Sequence, residues 1–346
     1  MTDFTSALLR WHDDNARDLP WRCEKDPYKI WLSEIMLQQT RAETVIPYYR
    51  AFLGRFPTAE ALAGADPVEV LKLWEGLGYY SRARNLMKAA KLVAEAGGFP
   101  RDIKGLRALP GVGEYTAGAI ASIAFGLPEP AIDGNQIRVL SRAFGVRVPA
   151  TSPEGKRALR AAALSVMPQT RPGDFNQALM GLGALICAPR PGCARCPVSA
   201  FCDAFRTGDA EELPILPPKA DKRDQQRAVA LVFGKDTVLV RRRPEDGLLP
   251  GLYEFPGFPG ARAKADVRAA LREIGVEPEN LRPAGDARHV FTHLVWRMNG
   301  WACEADRADE GEFVGTAALC ALPFPTALKV FRETALRMLE AAGRKG

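Results

Sequence analysis

The chain has 346 residues, with 47 lysines and arginines against 41 acidic residues and a formal net charge of +6. This length predicts two or three domains, and the positive charge suits a polyanionic partner without requiring one. The first fifteen residues contain no uninterrupted apolar run, and no apolar stretch is long enough to span a bilayer, so we expect a cytoplasmic protein without a secretory signal or a membrane span.

The chain from residue 1 to residue 206 is predicted to be helical. Segments 67–77, 81–97 and 116–126 place apolar residues three and four apart and are bounded by glycine or proline. Charges and prolines then dominate 203–226. That composition predicts an exposed linker, which we assign to 207–226.

The pattern changes after about residue 227. Residues 227–243 predict two short strands around a glycine-containing turn, and 287–304 alternates again between apolar and polar residues. Residues 263–275 and 325–343 have helical spacing. The sequence therefore predicts a separate α+β domain over 227–346.

Four cysteines lie within sixteen residues, with intervals of five, two and five residues: Cys187, Cys193, Cys196 and Cys202. In a reducing compartment, clustered thiols bind metal more often than they pair. Only one C-x-x-C knuckle is present, which favours an iron–sulfur cluster and leaves zinc open. The other cysteines are scattered and are expected to be ordinary buried thiols: Cys23, Cys303 and Cys320.

The segment LPGVGEYTAG, residues 109–118, interrupts one predicted helix and starts another. Gly111 and Gly113 let the backbone turn tightly and approach a second molecule. The free N–H groups at the start of the following helix form an anion site, and in a basic protein a DNA phosphate is a natural anion.

A series of ordered motifs is similar to those of a known family: LPWR (19–22), WLSEIMLQQT (31–40), GLGYYSRARN (76–85), LPGVGEYTAG (109–118), AIDGNQIRVLSR (131–142), the cysteine loop, and FTH (291–293). Together they resemble the helix–hairpin–helix DNA glycosylases of base excision repair. Within these, they resemble the adenine DNA glycosylases, which act on adenine opposite 8-oxoguanine. The resemblance covers nearly the whole chain.

The resemblance implies the cofactor, the partner and the domain plan. Family members hold a [4Fe–4S] cluster in the cysteine loop, so the expected ligands are the four clustered cysteines, although the first interval is one residue shorter than the family's. We expect a six-helix module with the hairpin at about 25–133 and a cluster module of 1–24 with 134–206. The expected partner is duplex DNA containing adenine opposite 8-oxoguanine, bound by a monomer associated with the bacterial nucleoid.

Two carboxylates carry the expected chemistry. Glu34 lies in an apolar helix, which should raise its pKa, and the resemblance makes it the acid that protonates adenine at N7. Asp133 precedes a helix as an N-cap, so we expect a lowered pKa and an ionised side chain. The resemblance implies that this carboxylate stabilises an oxocarbenium ion and that Asn135 positions Asp133 or the attacking water.

Tyr115 distinguishes this chain from bifunctional relatives, which carry a lysine at this place in the hairpin and form a Schiff base. By its position alone, Tyr115 could equally be a core aromatic at a helix start. The resemblance places it in the adenine pocket. Some relatives also have a lysine in the helix after Asp133, where this chain has Ile137, so lyase activity is not expected.

Other residues match the family's DNA contacts. Gln38 and Tyr79 match residues that the family inserts into the base stack, with Leu77 alongside, although Tyr79 could equally pack between helices. Trp21 with Arg22 matches the rim of the adenine pocket. The C-terminal domain resembles the pyrophosphohydrolase fold, but Glu273 stands without the paired glutamates that hold Mg²⁺. Recognition without hydrolysis is therefore expected, through a loop that reads Phe-Ser-His in the family and is Phe291, Thr292 and His293 in this chain.

These observations predict a monofunctional glycosylase that removes adenine opposite 8-oxoguanine or guanine. Three alternatives remain at this point: a bifunctional pyrimidine glycosylase and lyase, a non-catalytic DNA-binding protein, and a nucleotide pyrophosphatase. Tyr115 argues against the first alternative. The pair of Glu34 and Asp133 argues against the second, and the eroded glutamate box argues against the third.

Overall fold

The computed structural model describes residues 2–218, 221–260 and 263–343. Lys219 and Ala220, which belong to the predicted linker, lie outside the described residues, as do residues 344–346 at the end of the predicted second domain. Among the described residues, no helix is both long enough and apolar enough to cross a membrane.

The chain divides into two compact units. The first consists of the chain up to Ala65 together with Arg84–Pro218, and the second consists of Asp66–Ala83 together with the chain after Pro218. The predicted domain plan differs at 66–83, which the sequence pattern assigned to the helical domain. Helical periodicity identifies the elements but does not reveal which distant part of the chain they pack against.

The first unit is helical. In chain order the helices up to the linker are α1 (Asp3–Asn15), α2 (Pro27–Leu37), α3 (Ala42–Arg55), α4 (Ala59–Ala63), α5 (Pro67–Leu73), α6 (Ser81–Glu95), α7 (Ile103–Ala108), α8 (Glu114–Phe125), α9 (Gly134–Ala143), α10 (Pro153–Val166), α11 (Pro172–Leu185) and α12 (Asp203–Thr207). Of these, α5 and the first residues of α6 belong to the second unit.

The core of the first unit brings α9 and α11 together. Leu140 of α9 and Phe175 of α11 are completely buried in one apolar cluster, which also contains Leu8 of α1. A Cβ atom at Gly118 of α8 would lie 2.1 Å from the carbonyl oxygen of Pro130. Only a glycine permits α8 to lie this close to the extended chain that leads into α9.

The second unit is an α+β fold. Besides α5, its elements are β1 (Arg223–Phe233), β2 (Val238–Arg242), β3 (Tyr253–Glu254), β4 (Gly257–Pro259), α13 (Lys264–Glu273), β5 (Glu279–Val290), β6 (Leu294–Glu304), β7 (Glu312–Val314), α14 (Thr316–Ala321) and α15 (Lys329–Gly343). The strands form one sheet with the order β3-β2-β1-β6-β5, while β4 pairs with β1 and β7 with β2.

The central strand β1 is buried on both faces. It runs parallel to β6 and antiparallel to β2 and β4. Leu231 joins the apolar cluster that contains Phe331 of α15. The next residue, Val232, joins the cluster that contains Leu271 of α13. Successive side chains of a strand point to opposite faces, so the sheet is covered by α15 on one side and α13 on the other.

The predicted linker is shorter in the structure. β1 begins at Arg223, inside the predicted 207–226, because Arg223 and the charged residues after it pair in register with β6 from Leu294 onward. At the other end, the carbonyl oxygen of Leu213 accepts a hydrogen bond from Arg142, and that of Ile215 accepts one from Ala150. Tertiary pairing has overridden the local composition at both ends.

Candidate active site

Glu34 is buried in α2. The helix is well defined locally, because Asp26 accepts a hydrogen bond from the Tyr28 amide at 2.9 Å and Pro27 occupies the first turn. Glu34 is 5% exposed. Burial raises its pKa to about 7, opposed by a hydrogen bond from Tyr115 and reinforced by the charge of Asp133. The predicted rise in pKa is confirmed.

Tyr115 contacts the carboxyl group of Glu34. Its hydroxyl donates to Oε2 of Glu34 and lies 3.9 Å from the sulfur of Met180. Burial, followed by the nearby carboxylates, raises the pKa of Tyr115 well above its ordinary value. The phenol is therefore neutral and serves as a hydrogen-bond donor. Met180 of α11 is a member of this site that the sequence analysis did not identify.

Asp133 is the N-cap of α9. Its Oδ1 accepts from the amide of Gln136 at 2.7 Å, and its Oδ2 accepts from the side chain of Asn135 at 2.9 Å. The expectation of a lowered pKa is wrong in its net direction, because burial raises the pKa of Asp133 and these hydrogen bonds only oppose the rise. The sequence shows a cap but not the depth at which it is buried.

Asn135 is held in turn by Arg138. The guanidinium donates to Oδ1 of Asn135 at 3.0 Å, to the carbonyl oxygen of Gly183 at 2.7 Å and to that of Cys187 at 2.6 Å. Both ends of the Asn135 amide are thus engaged, which sets its orientation. α9 therefore connects the Asp133 carboxylate to the start of the cysteine loop.

Arg22 pairs with a residue that the sequence analysis missed. Its Nη1 donates to Oε1 of Gln177 at 2.6 Å, and burial lowers the pKa of Arg22. The Glu34 carboxylate acts on Arg22 in the opposite direction, so the two groups share one site. Trp21 is buried and packs edge-on against Tyr49, with ring centroids 5.3 Å apart, so it supports the site from within the core.

The four clustered thiols face one another. Cys187, Cys193, Cys196 and Cys202 line a single pocket, so the shorter first interval does not separate Cys187 from the others. The pKa of Cys196 is raised to about 11, mainly by burial and to a smaller extent by the other three thiols. Within the described ranges, no three histidine, cysteine or acidic side chains converge on one point as around a single ion. Four thiols around one pocket fit a cluster with four cysteine ligands.

Arg142 of α9 shapes the beginning of this loop. It is 2% exposed, and it donates to the carbonyl oxygens of Ala188 at 2.6 Å and Pro189 at 2.9 Å. Its Nη1 also lies 3.4 Å from the sulfur of Cys187. A buried guanidinium that satisfies several carbonyl groups can hold an irregular loop in place.

All seven cysteines are free thiols. Of the three outside the loop, Cys303 is buried as expected, because it faces the core under α13. Cys23 and Cys320 are exposed, so the prediction of buried thiols is wrong for these two.

The segment after α7 folds as the predicted hairpin. Gly111 has a φ of 78°, and a Cβ atom there would lie 2.8 Å from the Cβ of Asn85. Gly113 is the N-cap of α8 and provides no side-chain cap. The amide groups of the first turn of α8 are therefore available to an external acceptor.

Three residues with positive φ shape the turn after α5. They are Gly76 at 105°, Gly78 at 71° and Tyr79 at 48°. Tyr79 is 44% exposed, and its hydroxyl lies 3.0 Å from that of Thr292. Leu77 is 5% exposed, so Tyr79 forms the accessible tip and Leu77 the buried base of this turn.

The residues of the FTH motif form the tight turn between β5 and β6. The Phe291 amide donates to the carbonyl oxygen of Leu294 at 2.8 Å. The Phe291 ring packs edge-on against His289 and Trp296, with centroids 4.6 Å and 4.9 Å away. Thr292 and His293 are exposed. The aromatic residue anchors the turn, and the two polar residues extend from it.

The remnant of the glutamate box lies on α13. Val267 and Leu271 are buried, while Glu273 is exposed at the end of the helix. A second acid, Glu254, is 4% exposed and accepts from Arg243 and, at 3.1 Å, from Arg241. Because Glu254 is already neutralised by guanidinium groups, it is not free to hold a cation.

Both parts of the chain match known families. Residues 32–163 match the HhH-GPD superfamily of base excision DNA repair proteins, and residues 228–333 match the NUDIX domain. These matches confirm the predicted fold class.

Relatives over most of the length are adenine DNA glycosylases. The mouse protein is 36% identical, with 89% of this chain and 72% of the relative covered. The human protein is 38% identical, with 88% of this chain and 68% of the relative covered. The Buchnera aphidicola subsp. Baizongia pistaciae protein is 34% identical, with 86% of this chain and 84% of the relative covered.

Solved structures match the helical part. A thermostable thymine-DNA glycosylase has 34% identity and a TM-score of 0.54, with 59% of this chain and 95% of that chain covered. An endonuclease III trapped as a covalent intermediate with DNA has 22% identity and a TM-score of 0.50 over 59% and 94%, which supports the fold alone. This chain belongs to the adenine DNA glycosylase family, hydrolases of base excision repair, and combines a helix–hairpin–helix glycosylase region with a C-terminal NUDIX domain.

Proposed function

We propose that this enzyme is a monofunctional glycosylase that removes adenine opposite 8-oxoguanine, or opposite guanine, from duplex DNA. The observation that carries the proposal is the hydrogen bond from the hydroxyl of Tyr115 to the buried Glu34. The charge of Asp133 also acts on Glu34 and raises its pKa. Glu34 accepts from a phenol hydroxyl, whereas both oxygens of Asp133 accept from amide groups. Two carboxyl groups with such different partners are suited to separate acid and anion roles.

Glu34 is the proton donor. Its pKa of about 7 keeps a substantial fraction protonated at neutral pH, as a general acid requires. Proton transfer to N7 of adenine makes the base a neutral leaving group. The bond between the sugar carbon and N9 can then break, with the electron pair leaving on the base.

Asp133 stabilises the cationic sugar carbon that results. Hydrogen bonds to both carboxylate oxygens, from Asn135 and Gln136, favour its charged form against the effect of burial, as does the nearby Arg138. A fixed negative charge beside a developing cation lowers the barrier because it needs no reorganisation. Water then adds to the sugar carbon and gives up a proton, which can return to the Glu34 carboxylate, and an abasic site remains.

Residues in the lysine positions argue for hydrolysis alone. A lyase step needs an amine that attacks the sugar carbon. Tyr115 has no amine, and its hydroxyl is already committed to Glu34. The other lysine position of some relatives is Ile137. The abasic product should therefore leave with its DNA backbone intact.

Base extrusion needs a residue that fills the vacated space. Tyr79 is exposed at the tip of its turn. On the catalytic side, Gln38 donates from its side-chain amide to Thr116 at 3.2 Å and is half-buried, whereas Gln39 is exposed with a φ of 57°. These contacts favour Gln39 over the predicted Gln38 as the inserted residue.

Binding of DNA and of the extruded adenine uses other residues of the first unit. The hairpin at Gly111 and Gly113 offers the amides of α8 to a backbone phosphate. Arg22, on which the charge of Glu34 acts, and its partner Gln177 carry polar groups that can bind the edge of an adenine.

The second unit is proposed to read the lesion. Thr292 and His293 extend from the turn anchored by Phe291 and can donate and accept hydrogen bonds. Engagement of Glu254 by Arg241 and Arg243 supports recognition without hydrolysis. The glycosylase region corresponds to the first unit, which extends to Pro218, and the recognition domain to the second unit, whose strand β1 begins at Arg223.

The four clustered cysteines are proposed to hold a [4Fe–4S] cluster. When bound, such a cluster supplies a rigid metal–thiolate core. Arg142 holds the backbone of the loop through its hydrogen bonds. Arg190 and Arg195 lie within the loop and can bind DNA phosphates.

One assay set tests the proposal. Single-turnover excision is measured on duplexes with adenine opposite 8-oxoguanine, guanine or thymine, with and without alkali. Wild type should prefer the 8-oxoguanine duplex and show strand breaks only after alkali. Glu34→Gln should bind DNA without excision, and Asp133→Asn should be slower by about a hundredfold to a thousandfold. Strand cleavage at neutral pH with borohydride trapping, or near-normal rates in either variant, would contradict the assignment.

A further inference from the structure

Residues 66–83 belong to the second unit although both neighbouring segments of the chain belong to the first. The segment contains α5, the positive-φ turn and Tyr79. Its attachment to the rest of the second unit is polar as well as apolar. An enclosed ionic contact joins Glu75, just after α5, to Arg332 of α15.

The pair of Glu75 and Arg332 is short and shielded. Nη1 of Arg332 donates to Oε1 of Glu75 at 2.6 Å, and the two side chains are 13% and 25% exposed. The second oxygen of Glu75 accepts from Lys72 at 2.6 Å. Both carboxylate oxygens therefore have charged donors, which makes these hydrogen bonds stronger than neutral ones.

The two cations also close the end of α14. Arg332 donates from Nη2 to the carbonyl oxygens of Leu319 at 2.7 Å and Cys320 at 2.8 Å. Lys72 donates to the carbonyl oxygen of Leu322 at 3.3 Å. Positive groups at the carboxyl end of a helix satisfy its free carbonyls. Glu75 thus binds to an arginine whose position is already set by the fold.

Tyr79 lies four positions after Glu75, and Arg82 holds the turn between them. The Arg82 guanidinium lies 5.3 Å from the Trp74 ring and 5.5 Å from the Tyr79 ring. It donates to the carbonyl oxygens of Leu77 at 3.1 Å and Gly78 at 3.2 Å. A displacement of Glu75 would therefore be transmitted to Tyr79 instead of being absorbed in the turn.

A second anchor lies next to Tyr79 itself. Tyr80 is 3% exposed, and its hydroxyl donates to the carbonyl oxygen of Phe324 at 3.2 Å. The Phe324 ring lies under the Arg332 guanidinium, 5.3 Å away. The contacts of Glu75 and Tyr80 thus converge on the same small part of the NUDIX fold, on either side of the turn.

We propose that the Glu75–Arg332 pair positions Tyr79 against Thr292 and so sets the preference of the enzyme for 8-oxoguanine over guanine opposite adenine. Glu75 and Arg332 are positioning residues that need not touch the lesion. The inference rests on the proposed function, in which Tyr79 enters the duplex and the turn at Thr292 reads the lesion. The ion pair holds the two readers at their hydroxyl-to-hydroxyl distance of 3.0 Å.

The test uses the full-length enzyme. Single-turnover excision is measured on 8-oxoguanine·adenine and guanine·adenine duplexes for Glu75→Ala and Glu75→Gln. Glu333→Gln is the matched control, because it breaks the exposed pair with Lys329 on the same helix. We expect Glu75→Ala to lower the ratio of the two rates about tenfold, equivalent to about 1.4 kcal/mol. Glu75→Gln should lower it less, and the control should leave it unchanged.

Double variants separate positioning from general stability. In a Tyr79→Phe background, which lacks the hydroxyl, Glu75→Ala should cause no further fall in the ratio, because coupled residues are not additive. Equal losses on both duplexes, or a fall that adds fully to that of Tyr79→Phe, would overturn the positioning role. If Glu75→Ala unfolds, Glu75→Gln decides by the same criteria.

The proposed function has its own readout in this set. If Tyr79→Phe and Thr292→Val leave the ratio unchanged, lesion reading by these residues is wrong, whatever Glu75→Ala does. If both variants lower the ratio but Glu75→Ala does not, only the role of the Glu75–Arg332 pair is wrong.

Discussion

The hydroxyl of Tyr115 donates a hydrogen bond to the carboxyl group that is proposed to protonate adenine. A donor to a carboxylate favours its charged form, so Tyr115 opposes the rise in the Glu34 pKa that burial produces. Tyr115 thereby keeps the pKa of Glu34 close to neutral pH instead of letting burial raise it further. In the proposed function, the same residue stands in place of the lysine that a lyase step would need.

The pH dependence of excision should report this adjustment. In the proposed mechanism Glu34 acts in its protonated form, so the single-turnover rate should fall as the pH rises through about 7. Tyr115→Phe removes the hydrogen bond that lowers the pKa and should move the falling limb to higher pH. Rates from pH 5 to pH 9 on an 8-oxoguanine·adenine duplex measure both midpoints. An unchanged midpoint in the variant would show that Tyr115 does not tune Glu34.

The stability of the fold should also depend on the protonation of Glu34, because this acid is buried. The folded pKa of Glu34 is about 7, against an ordinary value of 4.5. The folded state therefore binds more protons between these values. The resulting stabilisation is fully present below pH 4.5 and is lost as the pH rises through 7.

Glu34→Gln should remove this dependence. Between pH 4.5 and pH 8, the free energy of unfolding of wild type should fall by about 3 kcal/mol relative to that of the variant. Urea titrations at several pH values measure the difference. Glu95→Gln, at an exposed position at the end of α6, is the control and should track wild type. Parallel curves for wild type and Glu34→Gln would mean that the pKa of Glu34 does not change on folding.

The metal content of the purified protein tests the cysteine loop. A four-iron cluster gives a yellow-brown protein with iron and sulfide each near four per chain, as expected for such a cluster. Cys187→Ser should lose iron and colour, because Cys187 lines the pocket with the other three thiols. Cys320→Ser removes an exposed thiol elsewhere and should keep both. A colourless protein with about one zinc per chain would contradict the cluster proposal and indicate a zinc site.

Much of the fold and site follows from local sequence. Short-range patterns predicted the helices of the first unit and the N-cap at Asp133, and the apolar neighbours of Glu34 predicted its raised pKa. The raised pKa of Asp133 depends on burial by distant segments, which no local pattern reports. Pairing of Arg22 with Gln177 joins residues 155 positions apart, so neither one identifies the other in the sequence.

The sequence alone could not decide which of two adjacent glutamines, Gln38 or Gln39, is inserted into the base stack. Gln39 is exposed, whereas the amide of Gln38 donates to Thr116. Gln39→Ala should slow excision about fivefold, the equivalent of one lost hydrogen bond of about 1 kcal/mol. It should also reduce the fluorescence rise of 2-aminopurine placed at the adenine position. Gln38→Ala should lower the melting temperature and keep the fluorescence rise. The reverse pattern would return the insertion role to Gln38.

His293 is the residue of the second unit that we propose reads the lesion. It is exposed, and its carbonyl oxygen accepts from the Arg223 amide at 3.1 Å, which fixes the backbone of the turn without using the imidazole. A purely structural role, in which His293 packs or pairs inside the strand region, would need a buried side chain, and His293 is exposed. An imidazole offers both a donor and an acceptor, and the adjacent Thr292 hydroxyl adds another of each.

Replacing His293 should therefore weaken lesion recognition without changing the chemistry at adenine. We expect His293→Ala to reduce the preference for 8-oxoguanine·adenine over guanine·adenine by about tenfold to a hundredfold, the value of one polar base contact of about 1–3 kcal/mol. Affinity and single-turnover excision on both duplexes measure the effect, which should lie mainly in affinity. Asp286→Ala, at an exposed position of the same strand β5, is the control and should match wild type. Equal losses on both duplexes in His293→Ala would mean that the residue is structural and that the lesion is read elsewhere.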